Sequence, residues 1–157
     1  MSPTVPPDAA ADAHAQGPAD LGSELSELSV TADGLSAAFE LIADSCGESD
    51  ERLHAIASRL ACTMVATADG LNMALSAASA RVGAADDRLG LELSELSLTA
   101  DGMSAAFEII ADSYSTSDAR LHGLALRLTF TMVATANDLA MALSEAAARV
   151  ADEGRAP

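Results

Sequence analysis

The chain has 157 residues, about one domain, and its formal net charge of −16 comes from 24 Asp and Glu against eight Arg, with no Lys. Such a charge repels phosphate backbones and anionic lipid headgroups, so we expect neither nucleic-acid binding nor electrostatic membrane docking. The lack of Lys also excludes a lysine Schiff base and a Walker-type phosphate loop.

The first segment, residues 1–20, is rich in Pro, Ala and Asp, and we predict that it is disordered and dispensable for folding. It has no basic residue ahead of an apolar run, so it does not resemble a secretory signal. The sequence contains no run of 18 or more apolar residues, so we expect no membrane-spanning helix. We therefore expect a soluble, cytoplasmic protein whose Cys46 and Cys62 are free thiols, because a long hairpin would hold them too far apart for a disulfide.

An internal duplication organises the rest of the chain. Residues 21–82 match residues 89–150 at a constant offset of 68, with about 44 of 62 positions identical. Each copy predicts two helices, so we predict an all-α four-helix bundle of two αα-hairpin repeats in up-down-up-down order. The predicted boundaries are residues 21–82 for the first hairpin, 83–88 for a linker, 89–151 for the second hairpin and 152–157 for a tail.

The helices are predicted from their apolar spacing. The first helix of each repeat has a heptad seam, formed in the first copy by Leu21, Leu25, Leu28, Ala32, Leu35, Phe39 and Ile42. The second helix has a stripe near 3.6 residues per turn, formed by Leu53, Ile56, Leu60, Met64, Ala68, Leu71, Leu75, Ala78 and Val82. Ser49 and Ser117 are the predicted N-caps of the second helices, with Asp50 and Asp118 in the first turn.

A nonapeptide beginning Thr-Ala recurs in all four helices and predicts a layer at the middle of the bundle. The layer contains Ala32, Ala68, Ala100 and Ala136, each preceded by Thr and followed by Asp or Asn. It is either a packing seam of small residues or the lining of a ligand cavity, and packing is the simpler interpretation. Within the same theme, Gly34, Gly70 and Gly102 indicate close backbone contact or a bend, because Gly inside a helix costs about 1 kcal/mol relative to Ala.

Two histidines are candidates for a metal site or a pH-sensitive cluster. His54 and His122 each lie four residues after an Asp, at the predicted loop end of the bundle. Solvated His beside capping Asp is the simpler interpretation. The Glu-x-x-His pattern of di-iron bundles begins at Glu51 but is lost in the second repeat, where Ala119 stands instead.

Nucleophilic catalysis has no clear motif. No Ser lies in a Gly-x-Ser-x-Gly elbow. Cys46 and Cys62 correspond to Tyr114 and Phe130 in the second repeat, and we interpret these positions as buried packing sites. We therefore expect no enzyme activity and no catalytic, cofactor or metal-binding residues.

A second apolar stripe lies opposite the heptad seam. It comprises Val30, Gly34, Ala37 and Leu41 in the first repeat and Leu98, Gly102, Ala105 and Ile109 in the second. A helix buried on one side needs no such stripe, so we predict that these residues form a face for self-association or for a partner protein. The alternative is a more compact arrangement that buries the stripe in the core.

These observations favour a non-enzymatic interaction or self-association module. A second candidate is an amphipathic coat or sequestering protein on an apolar surface, because the Ala- and Leu-rich, aromatic-poor chain resembles the granule-coating phasins in composition. A third is a small-ligand or metal binder that uses the central layer or the loop end of the bundle.

Overall fold

The computed structural model describes residues 18–46, 50–83 and 86–153. They form four helices, α1 (Pro18–Cys46), α2 (Glu51–Val82), α3 (Asp87–Tyr114) and α4 (Ala119–Glu153). The helices pack side by side as a bundle, which confirms the predicted all-α fold. Helix α1 begins inside the segment predicted to be disordered, and the rest of that segment, residues 1–17, lies outside the described residues.

Aspartates cap the helices that were expected to have serine caps. The Asp50 carboxylate accepts a hydrogen bond from the Arg52 backbone N–H at 2.8 Å, at the start of α2. Asp118 accepts the equivalent bond from Arg120 at 2.9 Å, so the prediction of Ser117 as the N-cap of α4 is wrong. Because the N-cap of α2 is Asp50, the prediction of Ser49 for that position is also wrong, and Ser49 itself lies outside the described residues. A carboxylate here accepts the N–H bond and also interacts favourably with the helix dipole.

The core follows the predicted heptad seam of α1 and α3. Towards the loop end of the bundle, the core contains a stack of two fully buried rings, Phe39 and Phe107, whose centroids are 3.9 Å apart with an interplanar angle of 6°. The two rings come from equivalent positions on diagonal helices. The stack therefore lies on an approximate two-fold axis that relates the two repeats.

The predicted core stripe of α2 is wrong at its N-terminal end. Ile56 is exposed there, and the buried positions belong to the smaller Ala57 and Ala61. Helix α4 repeats this arrangement with an exposed Leu124 and a buried Ala125. Because the phenylalanine stack fills this part of a close-packed core, small side chains must face it from α2 and α4.

Each helix packs most closely against a helix of the other repeat, α1 against α4 and α2 against α3. The Ser29 hydroxyl donates to the Ala140 carbonyl at 3.0 Å, and the Ser36 hydroxyl donates to the Val133 carbonyl at 3.4 Å. Between α2 and α3, the Ser97 hydroxyl donates to the Asn72 side-chain oxygen at 2.7 Å. The small residues on these seams recur every seven positions: Gly22, Ser29, Ser36 and Ala43 in α1, and Gly90, Ser97, Ser104 and Ala111 in α3.

Ion pairs join the two helices within each repeat. Glu24 pairs with Arg81 between α1 and α2, and Glu92 pairs with Arg149 at 2.6 Å between α3 and α4. The hydrogen bond to Glu92 raises the pKa of Arg149 above its usual value. The four side chains are between 31% and 46% exposed, so solvent screens both pairs and their contribution to the stability of the fold is small. Among the described helices, none combines the length and apolar character needed to cross a membrane.

Candidate functional site

The predicted interaction stripes lie on the outside of the bundle. All eight residues are exposed: Val30, Gly34, Ala37, Leu41, Leu98, Gly102, Ala105 and Ile109. The exposed fractions of the large side chains are 71% for Val30, 62% for Leu41, 70% for Leu98 and 52% for Ile109. The core closes without them, so the compact alternative that would bury the stripes does not occur in this bundle.

The glycines of the recurring nonapeptide lie on this outer surface. A Cβ atom added to Gly34, Gly70 or Gly102 would meet no atom within 4 Å. The expectation that these glycines mark close contact between helices of the bundle is therefore wrong. Close contact occurs at Gly90 instead, where an added Cβ would lie 2.8 Å from the Cα of Gly83.

Further exposed apolar residues extend the stripes. Leu91 lies seven residues before Leu98 on α3, and Met73 and Met141 are exposed on α2 and α4. The interpretation of Cys62 and Phe130 as buried packing residues is wrong, because both are exposed, although Cys62 is a free thiol as predicted. Each follows a buried residue directly, which turns its side chain about 100° away from the core.

Phe130 lines a groove between α1 and α4 with a volume of about 540 Å³. The α1 wall contributes the carboxylates of Glu40 and Asp44, and the α4 wall contributes Phe130, Val133, Ala134 and Asn137. The hydrogen bonds across this seam set an antiparallel register in which Leu41 lies near the height of Phe130, and Val30 lies near the height of Met141. Equal height does not bring Leu41 to the groove: it lies five residues after Ser36, about 140° around α1 from the side that faces α4, and it does not line the groove.

The two predicted histidines lie at the loop end, on either side of Tyr114. The ring centroid of Tyr114 is 5.7 Å from that of His54 and 6.4 Å from that of His122. These three side chains line a half-open cleft of about 200 Å³. In the part of the chain that the structure describes, no group of three or more His, Cys, Asp or Glu could hold a metal ion. The contact between His54 of the first repeat and Tyr114 of the second therefore links the two repeats at the loop end.

The central layer is built for packing. Ala32, Ala68, Ala100 and Ala136 are all fully buried. The hydroxyls of Thr31, Thr99 and Thr135 donate to the carbonyl four residues earlier in their own helices, at 3.1, 3.2 and 3.1 Å. These hydroxyls are therefore satisfied locally and do not point as donors into a cavity, which supports the packing interpretation.

The fold and its surface define a four-helix bundle of two interlocked repeats with apolar stripes on its outside. No protein-family model matches the chain, and neither does any curated protein or solved structure.

Proposed function

We propose that this protein is a non-enzymatic interaction module that binds another protein, or a second copy of itself, through the outer faces centred on Gly34 and Gly102. The observation that carries the proposal is the exposure of Val30, Leu41, Leu98 and Ile109 on a bundle whose core is complete without them. Fully burying one such side chain is worth about 1.5–3 kcal/mol, so an interface over these faces has a substantial hydrophobic driving force.

The two faces lie on diagonal helices. Helices α1 and α3 occupy opposite corners of the bundle, and an approximate two-fold axis relates their stripes. A partner that covers one stripe leaves the other accessible. The proposed module therefore has two similar binding faces on one chain, a geometry suited to bridging two partners.

The absence of enzyme activity is part of the proposal. Within the described ranges, no Ser, Thr or Cys side chain is hydrogen-bonded to His54 or His122. Covalent catalysis requires a nucleophile within hydrogen-bond reach of its base, and this arrangement offers no such pair. The proposal accordingly assigns no catalytic residue, cofactor or metal.

The faces are tested by replacing Val30, Leu41, Leu98 and Ile109 together with Glu. Because all four side chains are exposed, we expect the cooperative thermal transition followed by circular dichroism to persist. We expect self-association in sedimentation, or capture of specific proteins from the native lysate, to fall more than tenfold. A control with two such changes replaces Ile56 and Leu124, which are similarly exposed but lie outside the stripes, with Glu.

Loss of the cooperative transition in the quadruple variant would show that these residues belong to the core. Association equal to that of the wild type, or equal loss in the control, would refute the assigned faces. Adsorption of the wild type to a triglyceride emulsion with loss of cooperative melting, and no protein partner, would favour the coat function instead.

A further inference from the structure

We infer that the groove between α1 and α4 binds a basic amphipathic helix of a partner protein rather than a second copy of this chain. The inference rests on the proposed function and names the chemistry of its partner. It is drawn from three features of the groove: the spacing of its apolar residues, its unpaired carboxylates and the aromatic ring that its counterpart lacks.

The apolar residues of the α4 wall fit the anchors of a docked helix. Phe130, Val133 and Ala134 line the groove, and the exposed Met141 continues the same side of α4 beyond it. Phe130 and Met141 are 11 residues apart, which corresponds to about 16 Å of helix length. Apolar anchors at positions i, i+4, i+7 and i+11 of a partner helix span the same length. On the α1 wall, the small side chain of Ala43 allows a close approach.

The charges of the groove select a basic partner. Glu40 and Asp44 line it, and in the described part of the chain neither has an ion-pair partner. Helix α1 contains no Arg, and Arg127, three residues before Phe130 on α4, hydrogen-bonds through its Nε to the Gly123 carbonyl. A partner that covers these carboxylates without neutralising them would incur a large desolvation cost. Arg or Lys beside the apolar anchors removes that cost.

A second copy of the chain is a poor occupant for the same reason. Its own outer stripe on α3 is flanked by exposed Asp101, Glu108 and Asp112, and it carries the same net charge of −16. Docking two such surfaces would place carboxylates against carboxylates, which costs affinity and slows association. A basic helix is attracted by the same negative potential that repels a second copy of the chain.

The aromatic ring distinguishes this groove from its counterpart. In the equivalent position between α2 and α3, Cys62 stands where α4 has Phe130. Aromatic side chains are among the residues that contribute most to binding at interfaces, and a thiol offers far less apolar area. The groove between α1 and α4 is therefore the one that we assign to the partner helix.

The test uses the full-length protein and a fluorescein-labelled synthetic peptide of about 18 residues, made of Leu, Ala and Arg, with Leu at i, i+4, i+7 and i+11. Two control peptides have the same composition in shuffled order, or Glu in place of every Arg. By fluorescence anisotropy, we expect the basic amphipathic peptide to bind at least tenfold more tightly than either control. Raising the salt from about 0.1 M to about 1 M, which shortens the screening length from about 10 Å to about 3 Å, should weaken its binding more than tenfold.

Variants locate the binding. We expect Phe130→Ala and Met141→Ala each to weaken binding of the basic peptide about tenfold, while Leu124→Ala leaves it unchanged. Leu124 is six residues from Phe130, about 120° around α4, and is similarly exposed. The double variant Glu40→Gln with Asp44→Asn should reduce the salt dependence. The charge-matched double variant Asp87→Asn with Glu95→Gln, on diagonal helix α3, should not.

Equal binding of the Glu peptide or the shuffled peptide, or full binding by Phe130→Ala, would overturn the inference. If the basic peptide fails to bind while the quadruple Glu variant still loses self-association, this inference fails and the proposed interaction function stands. If the basic peptide does not bind and the wild type shows no association of any kind, both fail. Circular dichroism of each variant verifies that the bundle is intact in every comparison.

Discussion

Replacing Phe107 with Ala is expected to lower the free energy of unfolding by about 3–5 kcal/mol. The side chain is fully buried and stacks on Phe39 at a centroid distance of 3.9 Å. The variant loses the transfer free energy of the buried ring. It also leaves a cavity beside Phe39 on the approximate two-fold axis, where each repeat contributes one ring. Urea denaturation followed by circular dichroism measures the loss as a lower midpoint at an unchanged slope.

Phe130→Ala is the matched control, because it deletes the same ring from a site where 60% of the side chain is exposed. We expect its free energy of unfolding to stay within about 0.5 kcal/mol of the wild type. Comparing the free energies of unfolding of the two variants distinguishes a buried phenylalanine from an exposed one. Similar losses for the two variants would mean that Phe130 is part of the core and would remove the aromatic anchor of the proposed groove.

Replacing Gly90 with Ala is expected to destabilise the protein by about 1–3 kcal/mol, although Ala is the better helix former. The added Cβ would lie 2.8 Å from the Cα and 3.2 Å from the backbone N of Gly83. These are backbone atoms, so a side-chain rotation cannot relieve the clash, and the start of α3 must move away from the end of α2. That movement also strains the hydrogen bond from the Ser79 hydroxyl to the Gly90 carbonyl, now 2.7 Å long.

Gly102→Ala, in the same helix, is the control of opposite sign. An added Cβ there meets nothing within 4 Å, so we expect stabilisation by about 1 kcal/mol from helix propensity alone. Thermal melts of both variants at one protein concentration would show the difference. A result of the same sign for both positions would mean that the close approach of α2 and α3 at Gly83 is not maintained in solution.

The presence of glycine on an outer face, where alanine would make the helix more stable, is consistent with the proposed function. Gly34 and Gly102 each forgo the propensity of Ala without any contact inside the bundle that requires it. A helix that packs over these positions would approach more closely than it could over Ala. Stability and association of Gly102→Ala should therefore change in opposite directions, the first increasing and the second weakening.

Much of the candidate site could be predicted from spacing along single helices. The stripe that contains Val30 and Leu41 is visible because a helix repeats every 3.6 residues, so a second apolar face is a local property of the sequence. The exposure of Phe130 was not predictable in this way, because it depended on whether Leu60 and Leu128 or their neighbours Ala61 and Thr129 face the core. That choice follows from the volume of the phenylalanine stack contributed by the other two helices.

The seams between repeats had a signal in the sequence that the apolar pattern alone does not reveal. Gly22, Ser29 and Ser36 recur at seven-residue intervals beside the heptad seam, and small residues at that spacing allow a second helix to approach. The spacing shows which face of α1 has small side chains, but it does not show whether α2 or α4 packs against that face. The antiparallel hydrogen bonds to Ala140 and Val133 identify α4.

By itself, the sequence determined the number of helices, their duplication, the heptad seam and the alanine layer, because helix periodicity and internal repeats are properties of neighbouring residues. Only the tertiary structure decided which helices pair most closely, which phenylalanines are buried and where carboxylates and an exposed ring share one groove. Those outcomes depend on how the volumes of four helices fill a common core at close-packed density, and no single helix contains that information.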